Sequence, residues 1–101
     1  MLKKVKKMRM VARLGDKHGG HQCFPPTPAI SGSGNVKING RSCLTVGSRF
    51  VPHACVKPHP VISASGSGTV LVNGKPMTRV GDRTACGAMV VTGSSNVFAG
   101  G

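Results

Sequence analysis

Four histidines and four cysteines stand in a chain of 101 residues whose only acids are Asp16 and Asp82. That inventory points to metal coordination and away from hydrolytic chemistry. Imidazoles and thiolates are natural zinc donors, whereas a metal-activated water needs an open coordination position and a nearby general base. His21 lies five residues after Asp16, His53 five after Ser48, and Cys86 four after Asp82. Each count starts at a similar corner: Leu14-Gly15-Asp16, Val46-Gly47-Ser48 and Val80-Gly81-Asp82. His59 can supply a fourth donor, and three imidazoles with one thiolate make a filled tetrahedral set, which reads as structural rather than catalytic. Alternatives stay open at this level. His18 could replace His21, although the corner register favours His21. Cys23 and Cys55, each two residues after its histidine, could form a disulfide, complete the metal set or pack as small thiols. Free thiols are the default for a chain that starts in the cytoplasm. Cys43 stands where Met77 stands in the next repeat and is expected in the core.

The elements that must position these donors are written as a repeat. Gly32-Ser33-Gly34-Asn35-Val36-Lys37-Ile38-Asn39-Gly40-Arg41 returns as Gly66-Ser67-Gly68-Thr69-Val70-Leu71-Val72-Asn73-Gly74-Lys75. A third copy, Gly93-Ser94-Ser95-Asn96-Val97-Phe98-Ala99-Gly100, is truncated. Its second half is found at the other end of the chain, where Ala12-Arg13-Leu14-Gly15-Asp16 matches Thr78-Arg79-Val80-Gly81-Asp82. If these halves pair, three equivalent units close around an axis and the metal-capable residues converge near it. Asn-Gly between alternating apolar residues predicts hairpins, because a type I′ turn needs positive φ at both central positions. The expected fold class is therefore all-β, a pseudo-threefold domain of three β-hairpins, with an ordinary small barrel as the alternative. No helix is expected. Three Phe, no Trp and no Tyr, beside 15 Gly and 7 Pro, make a thin core that calls for a metal, disulfides or a partner surface.

The formal charge is +12, from 14 basic and 2 acidic residues. Lys3, Lys4, Lys6, Lys7, Arg9 and Arg13 crowd the first thirteen positions. Such a run could neutralise nucleic-acid phosphates, and a small basic zinc-stabilised nucleic-acid-binding module is the rival reading. It is disfavoured because the run lacks interleaved aromatics and no known nucleic-acid module follows. A solvated or partner-docked basic end accounts for it better. No apolar h-region follows the lysines and no stretch reaches transmembrane length, so synthesis in the cytoplasm without a signal peptide is expected. Residues 1–10 read as a basic segment and residues 11–101 as the folded domain.

Together these residues resemble the PAAR-repeat (proline-alanine-alanine-arginine) proteins. The resemblance spans residues 11–101 and rests on Gly-Ser-x-x-Val, Asn-Gly, Val-Gly-Asp and Phe24-Pro25-Pro26-Thr27-Pro28. The signature segment appears as Pro76-Met77-Thr78-Arg79, with degenerate versions Ser42-Cys43-Leu44-Thr45 and Met10-Val11-Ala12-Arg13. The resemblance implies a cone with one structural zinc near its apex, held by His21, His53, His59 and Cys86. Ser48 departs from the usual corner aspartate, which weakens that turn without touching a ligand. It also implies that the cone caps a trimeric β-helical spike, one cap per trimer, as the membrane-piercing tip of a contractile injection machine. The tip would meet the target cell envelope and take no small-molecule substrate. Phage tails and type VI secretion systems both use such tips. The bare length, with no toxin extension expected, leans toward a phage baseplate. An enzymatic role is not expected.

Overall fold

The computed structural model describes residues 8–55 and 57–100. Residues 1–7, the greater part of the basic segment, lie outside the described residues. Eight strands and no helix occur among the described residues: β1 (Arg9–Met10), β2 (Lys37–Ile38), β3 (Arg41–Ser42), β4 (Arg49–Ala54), β5 (Pro58–Ile62), β6 (Leu71–Val72), β7 (Lys75–Pro76) and β8 (Phe98–Ala99).

The repeat becomes three antiparallel pairs. β2 pairs with β3 and β6 with β7. Their turns place Asn39 and Gly40 at φ 54° and 79°, and Asn73 and Gly74 at 53° and 81°, the double positive φ that Asn-Gly tolerates at low cost. The third pair joins the two ends of the chain, with Arg9 opposite Ala99 and Met10 opposite Phe98. Closure is visible in the backbone. Ala12 N–H donates to Thr78 O (2.9 Å), Thr78 N–H to Leu44 O (3.0 Å), and Leu44 N–H to Ala12 O (3.1 Å), a ring with one bond from each unit. Leu14 to Ser42, Val46 to Pro76 and Val80 to Met10 make a second ring, at 2.8, 2.9 and 2.8 Å. Each unit thus hands its backbone groups to the next, so none of the three completes its hydrogen bonding alone.

Equivalent positions fill equivalent space. Val11, Cys43 and Met77 share one buried cluster with Val72 and Ala99, flanked by Val36, Ile38, Val70 and Val97. Cys43 is thus a core residue, as its register implies, and burial pushes its thiol pKa up to about 11. A second cluster holds Ala12, Ala29, Leu44, Phe50, Val61 and Val90, with Val80 and Cys86 against it. Ser33, Ser67 and Ser94 are buried, and each hydroxyl accepts the N–H groups two and three residues on, at 2.9–3.3 Å. This bond satisfies the corner's donors and explains the Gly-Ser signature. The glycine before each serine is required by close approach: a Cβ on Gly32, Gly66 or Gly93 would stand 2.9, 2.8 or 2.8 Å from the carbonyl oxygen of Cys43, Met77 or Val11.

At two corners the aspartate accepts the backbone N–H three residues back, Arg13 to Asp16 and Arg79 to Asp82, both 2.7 Å. At the third, Ser48 accepts from Thr45 N–H at 3.0 Å; the bond survives the serine but lengthens and loses its charge. The repeat did not announce β4 and β5. The extra residues of the second connection form the longest hairpin of the fold, with an irregularity between Phe50 and His53 that sets His53 directly opposite His59.

Candidate metal centre

Three connections between the units of the ring carry the donors. His21 precedes a turn closed by reciprocal bonds with Phe24, 2.8 and 3.1 Å. His53 and His59 face each other across β4 and β5. Cys86 lies in the connection after the Asp82 corner. One donor atom from each of His21, His53, His59 and Cys86 lies within 4.8 Å of every other. His53 Nε2 stands 2.5 Å from His59 Nε2 and 3.8 Å from Cys86 Sγ.

The surroundings fit a cation better than they fit hydrogen-bonded imidazoles. His21 Nε2 is buried and has no hydrogen-bond partner among the described residues, a state that costs free energy unless something coordinates it. His53 donates its Nδ1–H to the carbonyl of Pro25 at 3.0 Å, which leaves the Nε2 lone pair directed into the cluster, the usual support for a metal-bound imidazole. Cys86 Sγ lies 3.2 Å from the hydroxyl of Thr84, a donor suited to a thiolate. Desolvation, and then the neighbouring imidazoles of His53 and His21, hold His59 below the ordinary histidine pKa. That shift keeps its nitrogen available as a ligand. Three imidazole nitrogens and one sulfur are a donor set of the kind that can hold a metal ion such as zinc.

His18 takes a different place. It is fully buried; its Nε2–H donates to Thr27 Oγ1 at 2.7 Å, and Thr27 passes its own proton to Val51 O at 2.6 Å. Its Nδ1 accepts the Gly20 N–H at 2.9 Å. Both ring nitrogens are therefore occupied, and the imidazole is neutral. Burial, with smaller contributions from His53 and His21, brings its pKa down to about 4. His18, Phe50 and Thr84 each sit two residues past a corner, and all three are buried; His18 is a core residue of this layer, in edge contact with Phe50 at 5.2 Å.

The expectation of free thiols at Cys23 and Cys55 is corrected: they form a disulfide, with Cα atoms 5.5 Å apart. The same closure that gathers His21 and His53 brings the cysteines two residues further on into reach. Phe24 was not singled out as a site residue, yet its ring lies 4.9, 4.8 and 4.3 Å from those of His21, His53 and His59. It covers the cluster with apolar surface. The Pro25 carbonyl and the Thr84 hydroxyl also escaped notice; Thr84 could have been found from its register with His18 and Phe50, whereas nothing local marks the carbonyl.

Two Pseudomonas aeruginosa proteins, NAD(P)(+) glycohydrolase toxin Tse6 and (p)ppApp synthetase toxin Tas1, are each 41% identical to this chain over 80 residues. The match covers 71% of this chain and only 18% of each toxin. The PAAR motif family matches residues 19–92, a span holding all four clustered donors, the disulfide and two full repeats, and the chain belongs to that family.

Proposed function

We propose that this chain is the metal-pinned tip of a contractile injection machine, and that the end away from the donor cluster caps a trimeric β-helical spike, one chain per trimer. The carrying observation is the ring of three backbone-bonded units whose connections bring three imidazoles and one thiol together in one donor cluster among the described residues. A monomer with pseudo-threefold symmetry can sit on a true threefold axis without steric mismatch, and its hairpin edges can extend the strands beneath by β-augmentation. Residues 11–101 form the cone in this reading, and residues 1–10 are a basic segment outside it.

We assign the cluster to one structural zinc ion held by His21, His53, His59 and Cys86. The ion would supply coordination bonds that tie three loops together where the apolar core is thin. Four protein donors leave no position for a substrate water, so the site serves shape rather than catalysis. The relatives support a non-enzymatic role for this module. Tse6 and Tas1 carry different named activities but match the same length of this chain at the same identity, so the shared part accounts for neither activity. Their being bacterial toxins favours a type VI secretion machine over a phage tail, against the lean that length alone suggested.

The test is native mass spectrometry of the chain mixed with its cognate trimeric spike, with metal analysis in parallel. One chain per trimer and about one zinc per chain are expected. Three chains per trimer, or no complex with the zinc-loaded protein, refutes the cap.

A further inference from the structure

The three corners are equivalent by repeat, and one of them lacks its charge. Asp16 lies between two guanidiniums, with Arg13 Nε at 3.0 Å and Arg41 Nη2 at 3.9 Å, and accepts the hydroxyl of Thr92 at 3.0 Å. Asp82 repeats this with Arg79 at 3.0 Å, Arg9 at 3.6 Å and the hydroxyl of Ser65 at 3.3 Å. At the remaining corner Ser48 stands for the aspartate, Thr45 for the near arginine, Lys75 for the far one and Ser31 for the hydroxyl. The carboxylate and both guanidiniums are gone, with an ammonium in place of the far one, but the donors that would face the carboxylate remain. Ser31 Oγ accepts the Arg49 N–H at 2.7 Å, as Thr92 accepts that of Lys17 at 2.9 Å and Ser65 that of Arg83 at 2.8 Å. Its one proton, which Thr92 and Ser65 give to the aspartates of the sister corners, has no carboxylate to receive it. Ser48 Oγ already accepts from Thr45 N–H and has its own proton to give. Lys75 makes no ion pair among the described residues.

Space opens where charge is missing. A cleft of about 260 Å³ opens at this corner, lined among others by Ser31, Thr45, Ser48, Asn73 and Lys75. A Cβ on the corner glycine would meet an arginine side chain at Gly15 (3.3 Å) or Gly81 (2.8 Å), but nothing within 4 Å at Gly47.

We propose that this cleft is a carboxylate-binding site, built to take an aspartate or glutamate side chain of a partner polypeptide between Lys75, Ser31 and Ser48. A carboxylate is the group that the fold itself sets among these donors at the other two corners. A partner's guanidinium would instead face Lys75 with no counter-charge between them. The formal charge of +12 draws acidic partners toward the surface. The site lies apart from the metal cluster, and it does not depend on the tip reading.

The experiment is an amide-resolved NMR titration of the whole chain with sodium acetate, against sodium chloride at equal ionic strength. Saturable shifts confined to Ser31, Gly47, Ser48 and their neighbours are expected, with the Gly15 and Gly81 corners silent. Lys75 is exposed, so Lys75→Ala leaves the fold intact and is expected to weaken acetate about tenfold, the worth of a charged hydrogen bond. Ser48→Asp supplies the carboxylate internally and is expected to abolish the acetate response while raising Tm, the reverse of what burying an unpaired acid does. Acetate shifts that match chloride, that persist in Lys75→Ala, or a Tm lowered by Ser48→Asp would overturn the proposal.

Discussion

Cutting the Cys23–Cys55 disulfide isolates one contribution to the stability of the domain. The two cysteines are separated by 32 positions, and both are exposed, so Cys23→Ser/Cys55→Ser removes a cross-link with little loss of packing. The chain-entropy relation for a loop of that length gives about 12 cal/mol/K, or about 4 kcal/mol at 25 °C. A domain of this size is stable by about 5–15 kcal/mol in all, so the cross-link accounts for a large share. At about 4–8 °C per kcal/mol, the double variant should melt roughly 15–30 °C lower. Differential scanning calorimetry of the zinc-loaded wild type, the double variant and the wild type treated with a phosphine reductant measures this. The reduced wild type and the variant should agree, because the cross-link acts mainly on the unfolded chain. The variant should also bind zinc more weakly, since the loops bearing His21 and His53 are no longer held together before the ion arrives. A loss below about 1 kcal/mol, well under the entropic value, would refute the reasoning and show that the ring alone fixes these loops.

Other expectations concern the donors and the corners. His21→Ala and His53→Ala should each lose the metal by elemental analysis and lower Tm, while His18→Phe, which copies the equivalent Phe50, should keep it. Cys43, buried with its pKa near 11, should resist iodoacetamide at pH 8, because only about a thousandth of it is thiolate there; Cys86 should be protected by zinc and react after chelation, as followed by mass spectrometry. Asp82→Ala should cost about 3–5 kcal/mol, because it strands the Arg79 guanidinium, whose side chain is 3% exposed. Asp16→Ala should cost less in the same denaturant melts, since its partners Arg13 and Arg41 are 13% and 44% exposed.

Much of the architecture is legible in the residues because it is locally encoded. Asn39-Gly40 and Asn73-Gly74 dictate their turns through backbone sterics, and Gly-Ser dictates a corner through a hydroxyl that reaches only two or three residues. The pairing of β1 with β8 follows from matching half-repeats. The metal-capable residues could be grouped because symmetry converts equal offsets from a corner into convergence in space. His18 illustrates the limit of that argument. Its offset argued against it, but its role as a neutral, doubly hydrogen-bonded core residue rests on Thr27 and Gly20, which no repeat position announces.

By itself the sequence determined the all-β character, the three hairpins, the closure through residues 12–16 and a short list of donors, since turn chemistry and periodicity act between near neighbours. Tertiary structure decided which of those residues meet. It paired Cys23 with Cys55, aligned His53 with His59 on a hairpin that the repeat lacks, laid Phe24 over three imidazoles, and left Ser31 and Lys75 facing a corner without a carboxylate. These outcomes depend on distances between residues remote along the chain, and such distances exist only once three units have closed into a ring.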